Sequence, residues 1–427
     1  MSKRLPLFYT ITAIFWFALY TYVPYVSPYS EYLEADLRLI GLIVGAYGFT
    51  QMVIRFPLGI LSDRLGKRKI FVLAGLGFTA LSGIVVFVMP HSYTMLLSRS
   101  LGGVAAASWV TFAILCASYY PPDEAAKSVG YLNSANAFGR ILAFLTGGLI
   151  AQWLGVPFAF LLGGAAGVIG LVAGLAIVEV RPSRAGDTIE DKDVHDAKID
   201  PKDNESLDKN MAAAVDEAKE NGISDKPKPP SLPKITDLLT IVYNPRLLSA
   251  SLLAILSQYM AFATAFGFTP LFGERLGASH FQLGMLGMAA ALPGLLVSPL
   301  AGTVFPKKLG ARNSIALGFA LAAIGCGMLA FVGSLWQLYA VQILISTGLT
   351  LSYTLLMGLS IKDIPSQRRA TAMGFFQAVY GLGMFIGPFV TGWVAFSFGL
   401  GVAFFVTGGV GALGVGAVFV FARRGYV

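Results

Sequence analysis

Apolar positions along this chain fall into runs of about twenty residues, separated by short polar turns rich in Gly and basic residues. Such runs lie near 7–27, 39–61, 70–90, 94–117, 128–150 and 156–178. A second set lies near 247–271, 281–304, 313–333, 336–360, 370–394 and 399–421. A helix rises about 1.5 Å per residue, so roughly 20 apolar residues cross the ~30 Å hydrocarbon core of a bilayer. The pattern predicts an all-α membrane protein with twelve transmembrane helices in two sets of six. The expected division is a six-helix bundle over 1–180, a linker over 181–246 and a second six-helix bundle over 247–427.

The interval 181–246 breaks the pattern. It holds 14 of the 23 acidic residues and Pro201, Pro227, Pro229, Pro230 and Pro233, with no aromatic residue before Tyr243. Such a composition cannot bury enough apolar surface to offset its ordering entropy, so a disordered cytoplasmic spacer is expected.

Composition and charge narrow the class. Hydrophobic residues make up 56% of the 427 positions, mean hydropathy is +0.69 and 13% of residues are charged, which excludes an ordinary soluble domain. Of the 31 Lys and Arg, 15 fall in the termini and in turns on the side of the termini, 11 in the linker, 2 in opposite turns (Arg38, Arg275) and 3 inside spans. Basic residues accumulate on the cytoplasmic side, so both termini of this multi-pass protein are expected there. The net charge of +8 is spent at helix ends beside lipid headgroups, and no nucleic-acid partner is expected. Cys116 and Cys326 sit in separate spans, and the three histidines (His91, His195, His280) fall in turns or the linker. No metal, cofactor, disulfide framework or membrane-embedded catalytic centre is therefore expected. No phosphate-cradling loop is present, so ATP is not the expected energy source.

The two halves repeat one another. Gly130, Gly139, Gly147 and Gly148 align at an offset of 244 with Gly374, Gly383, Thr391 and Gly392, while Ala143-Phe144 stands against Gly387-Pro388. Gly41 and Gly59 align at 243 with Gly284 and Gly302, and Arg68 at 244 with Arg312. One register across two pairs of spans and the loop between them points to an internal duplication.

Between the second and third spans runs Gly59-Ile-Leu-Ser-Asp63-Arg64-Leu-Gly66-Lys67-Arg68-Lys69. The segment resembles the loop between helices 2 and 3 of major facilitator superfamily transporters. That resemblance implies two pseudo-symmetric six-helix bundles that rock about a central site, in the cell (inner) membrane. It also implies a gating role for Gly59, Asp63, Arg64, Gly66 and Arg68, with Asp63 latching the cytoplasmic side through Arg64, Arg68 and the basic pair Arg368-Arg369. The corresponding loop of the second half lacks the acid. Span 4 carries Arg99-Ser-Leu-Gly102-Gly103, similar to the family's arginine motif, which implies a coupling role for Arg99. Span 5 resembles the antiporter motif of the drug:proton branch, but with Ala143-Phe144 where that motif has Gly-Pro. The complete form is in span 11, as Gly383, Gly387-Pro388 and Gly392. Gly130, Gly139, Gly147, Gly148, Gly383, Gly387 and Pro388 are the expected packing and hinge positions.

Arg55, Arg99 and Arg140 stand inside spans without a neighbouring Asp or Glu, at a notional cost of about 2.5–3.5 kcal/mol each near mid-membrane. Their second-half counterparts include Ser298 (for Arg55) and Met384 (for Arg140), so the charge belongs to the first half alone. Buried guanidiniums without carboxylates call for carbonyls, water or an anionic substrate. Arg55, Arg99, Arg140, Tyr20, Gln258 and Gln377 are accordingly the expected substrate or coupling residues, with Trp16, Tyr22 and Tyr380 as further cavity candidates. The overall expectation is a monomeric secondary transporter of a small molecule, by proton-coupled efflux or, alternatively, by uptake or exchange of an organic anion through the intramembrane arginines.

Overall fold

A computed structural model describes residues 4–120, 125–179, 243–365 and 368–426. Twelve helical segments of membrane-crossing length and apolarity are present among them, and no strand. In chain order the first six are α1 (Leu5–Tyr32), α2 (Leu37–Ser62), α3 (Arg68–Val88), α4 (Ser92–Ala117), α5 (Gly130–Leu154) and α6 (Val156–Gly174). The second six are α7 (Pro245–Arg275), α8 (His280–Thr303), α9 (Phe305–Phe331), α10 (Leu335–Leu359), α11 (Thr371–Phe398) and α12 (Leu400–Arg423). Successive spans run in opposite directions. The face where α1 begins and α12 ends is called the terminal face below, and the other the far face.

Local chemistry sets the span ends. Asp36 caps α2 by accepting from Leu39 N–H at 2.8 Å, and Asn244 caps α7 by accepting from Arg246 and Leu247 N–H. Ser279 and Gln282 form a reciprocal capping box at the start of α8. Gly66 ends the α2 helix in the left-handed conformation (φ 59°), which a side chain would disfavour. Its duplicate Gly310 (φ 79°) breaks the start of α9 in the same place.

Several spans are longer or more broken than their hydropathy suggests. α1 bends through a 3₁₀ turn at Val23–Tyr25, α4 is interrupted at Ser108, and α7 contains a π-helical stretch, Thr264–Phe268. These breaks let α1 reach Tyr32 and α7 reach Arg275, so Arg275 closes a helix rather than lying in a turn. Pro245 and Arg246, read as the end of the linker, already belong to α7 because Asn244 caps it. Residues 181–242 of the linker lie outside the described residues.

Packing follows the duplication. α1 lies against α5 and α6, α3 against α4 and α6, and in the second half α9 lies against α10 and α12. Two seams join the halves: α2 with α11, and α5 with α8.

Candidate functional site

The seams repeat one contact. A methyl group on Gly41 would collide with the Pro388 carbonyl and meet Gly392 Cα, and one on Gly284 would lie 2.6 Å from the Phe144 carbonyl and 3.1 Å from Gly148 Cα. Gly284 duplicates Gly41, and Phe144 and Gly148 duplicate Pro388 and Gly392. Bare backbone at these positions lets the helices touch near the far face. Polar contacts between the halves reinforce the same level. Tyr25 donates to the His280 carbonyl at 3.1 Å, and His280 Nδ1 lies 3.1 Å from the Ala151 carbonyl. Gln152 accepts from Phe281 N–H at 3.3 Å, Arg275 pairs with Glu31, and the Arg38 guanidinium stacks 4.0 Å from the Phe396 ring centroid.

Toward the terminal face the seams differ. α2 and α11 stay together: Gly45 is close to Phe385, Gly48 to Met384 and Gly381 to Met52. Arg55 then donates to Gln377 Oε1 at 2.7 Å and to the Ala106 carbonyl at 3.5 Å. α5 and α8 stay together only as far as Phe144 and Gly287; beyond them a Cβ on Gly130, Gly294 or Gly302 would meet nothing within 4 Å. Leu292, Leu295, Leu296 and Leu300 on that part of α8 are exposed.

A cavity of about 270 Å³ lies between the halves at mid-span. The second half supplies most of its wall: Ser257, Gln258 and Phe266 from α7, Gly287 and Ser298 from α8, and Ser346, Thr350, Tyr353 and Thr354 from α10. The first half adds Val23 and Pro24 at the bend of α1, and Arg140 and Phe144 from α5. Among the described residues, Arg140 is the one Lys, Arg, Asp or Glu of the lining. Its guanidinium rests 4.4 Å from the Tyr20 ring centroid, a cation–π contact that holds it without neutralising it, and its Nε has no partner among the described residues. Hydroxyls and an amide surround one cation, so the wall can hold an anionic group by hydrogen bonds as well as by charge.

The other expected residues separate into distinct places. Gln258 lines the cavity with Arg140, and Tyr20 supports Arg140 from behind. Gln377 does not line it, being engaged by Arg55, and Arg55 is 5% exposed. Arg99 is 3% exposed and stacks 4.6 Å from the Tyr47 ring centroid, so it is held inside the protein rather than reaching for the interface. Trp16 packs in an aromatic cluster with Phe15, Tyr20 and Trp109, Tyr22 is bonded to Ser82 at 2.9 Å, and Tyr380 packs on Tyr353 and Phe376. Along the expected ladder, Gly139 meets the Ala13 carbonyl, Gly147 the Thr21 carbonyl, Gly383 the Ile255 carbonyl and Gly387 the Tyr259 carbonyl. Gly148 meets Phe281, and Pro388 meets Gly41 across the seam.

At the end of α2, Gly59 has open space, and Arg64 and Gly66 just beyond it are exposed. The Asp63 side chain lies outside the described residues. Glu179, just beyond α6, accepts from Arg68 N–H and, at 3.4 Å, from Lys69 N–H, while Lys69 Nζ donates to the Leu175 carbonyl at 2.7 Å. The helix start that Lys67 cannot cap is thus capped from a distant segment. An acid directly after a basic-rich face's sixth span was the one available signal.

The profile of the Major Facilitator Superfamily matches residues 8–376 and again 252–426. This chain belongs to the major facilitator superfamily. An uncharacterised MFS-type transporter of Methanocaldococcus jannaschii is 25% identical over 377 residues, 87% of this chain and 86% of that one. The quinolone resistance protein NorA of Staphylococcus aureus is 28% identical over 181 residues, 42% of this chain and 46% of its own. Among solved structures, a bacterial homologue of the human lysosomal transporter Spinster, inward-facing and unoccupied, superposes with a TM-score of 0.76 at 15% identity, over 99% of this chain and 98% of that one. Family and fold together make the protein a membrane-embedded secondary transporter of small molecules.

Proposed function

We propose that this transporter carries an amphipathic organic anion through the Arg140 cavity by alternating access. The observation that carries the reading is the composition of the wall: among the described residues, one guanidinium, no carboxylate, and hydroxyls or amides from Ser257, Gln258, Ser298, Ser346, Thr350 and Tyr353. The acidic group of the substrate sits on Arg140, and its apolar body lies against Phe144, Phe266 and Leu349. Arg55 takes a different role, bridging α2 to α11 through Gln377.

The distribution of Lys and Arg supports termini in the cytoplasm. On that orientation the sealed far face is external and the parted α5/α8 seam opens inward, so the conformation is inward-facing, the state named for the Spinster homologue. Outward transport coupled to protons rests on the resemblance of the span 5 and span 11 glycine ladders to the antiporter motif. The far-face contacts break and the Asp63 loop closes as the halves rock, with the transporter acting as a monomer. A second reading is drug-type efflux of neutral or cationic lipophiles; the partial match to a protein named for quinolone resistance, over 42% of this chain, favours efflux of a drug-like molecule.

Counterflow and pH-driven flux in proteoliposomes, with amphipathic anions beside lipophilic cations, test the reading. Anion flux that falls about tenfold to a hundredfold in Arg140→Gln, the worth of a charged hydrogen bond, is the expected result. pH-driven cation flux indifferent to Arg140→Gln establishes the second reading instead.

A further inference from the structure

Arg99 is the buried cation that the substrate site does not use. It is 3% exposed, and among the described residues its Nε has no hydrogen-bond partner and it makes no ion pair; its guanidinium lies 4.6 Å from the Tyr47 ring centroid and interacts with the Tyr22 hydroxyl. The side chain enters a small chamber, about 10 Å³, walled by Tyr20, Val23, Tyr47, Phe262 and Phe266. That volume admits the centre of a single water-sized particle.

We propose that the chamber is a binding site for one halide ion, chloride under ordinary conditions, held by Arg99. A water molecule fits by size but leaves the guanidinium charge uncompensated in a low-dielectric interior, where an unpaired ion is costly. A monatomic anion both fits and neutralises. The site is separate from the Arg140 cavity, with Val23 and Phe266 forming the shared wall.

The chamber is built from both halves. Tyr20, Val23, Tyr47 and Arg99 come from α1, α2 and α4, whereas Phe262 and Phe266 come from α7, Phe266 within the π-helical break Thr264–Phe268 and Phe262 just before it. Parting α7 from α1 and α2 removes two of the walls. Halide therefore binds the conformation with the far face sealed more tightly than the one with it open, and shifts the equilibrium by that difference in affinity.

Thermal unfolding of the purified full-length protein tests the site, with NaCl or NaBr replacing sodium gluconate at constant ionic strength. The expected result is a saturable rise in Tm of a few degrees, lost in Arg99→Gln and kept in Arg140→Gln. Crystals of the wild type grown in bromide supply a readout that needs no variant, with an anomalous peak expected beside Arg99. A Tm indifferent to halide, a rise kept in Arg99→Gln or lost in Arg140→Gln, or an anomalous map without a peak at Arg99 overturns the proposal.

Discussion

The α2/α11 and α5/α8 seams descend from one duplicated contact and end differently. Near the far face they are the same: Gly41 against Pro388 and Gly392, and Gly284 against Phe144 and Gly148. Below that level α2/α11 is filled by Met384 against Gly48 and bridged by Arg55 and Gln377. In α5/α8 the counterparts are Arg140 for Met384, Ser298 for Arg55 and Asn133 for Gln377. Arg140 and Ser298 line the cavity instead of joining the helices, and Asn133 is exposed. The difference teaches how a symmetric scaffold acquires a site. An apolar filler and a side-chain bridge make one seam a closed joint. A cation and a hydroxyl at the duplicate positions make the other seam the wall of a polar chamber.

Breaking the shared contact should have the largest effect. Gly41→Val and Gly284→Val force a side chain against backbone, an overpacking cost of about 1–3 kcal/mol that falls on the far-closed conformation. Both are expected to suppress transport and to increase labelling of a Val23→Cys reporter by an impermeant maleimide applied at the far face. A phenotype in one and not the other would show that the two seams do not share the sealing role. Next in size is Gln377→Leu, which leaves Arg55 with the Ala106 carbonyl alone and costs about 1–3 kcal/mol for the orphaned donors. A lower Tm and a several-fold slower turnover are expected, with substrate Kd unchanged. A raised Kd would place Gln377 in the site.

Smaller effects mark the rim. Glu31 and Arg275 are 36% and 44% exposed, so Glu31→Gln should cost less than about 1 kcal/mol and matter less as salt is raised; a large loss of stability would make this pair a principal latch. The smallest change is expected at Asp36. The Leu39 N–H bond, aided by Arg38, holds its carboxyl below the usual carboxylate range. A lowered folded-state pKa means that the stabilisation is present above the unfolded value and is lost as pH falls through the folded one. Tm measured from neutral pH into the acid range should therefore decline slightly less in Asp36→Asn than in the wild type. Identical slopes would remove Asp36 from the account of α2 capping.

Much of the architecture was legible because bilayer thickness imposes a period that hydropathy reports directly. The duplication was legible too, since glycines needed for backbone contact cannot be replaced without collision, as Gly41 and Gly284 illustrate. The site was less so. Arg55 and Gln377 lie 322 residues apart, and nothing local to either announces the other. The same holds for Glu179 capping the α3 start 111 residues away. Three arginines looked alike as buried cations, yet one bridges a seam, one stacks on Tyr47 beside a small chamber and one faces the cavity. Only the packing of α7, α8 and α10 separates them. The breaks in α1 and α7 were hidden because a bend in an apolar run leaves its hydropathy unchanged.

The most direct test compares the two arginines by equilibrium binding. Once flux assays identify a transported anion, its Kd is measured for the purified wild type, Arg140→Gln and Arg55→Gln. The account predicts that Arg140→Gln weakens binding about tenfold or more while Arg55→Gln binds as the wild type and turns over slowly. Equal loss in both variants, or normal binding in Arg140→Gln, would contradict the assignment of one arginine to the substrate and the other to the joint.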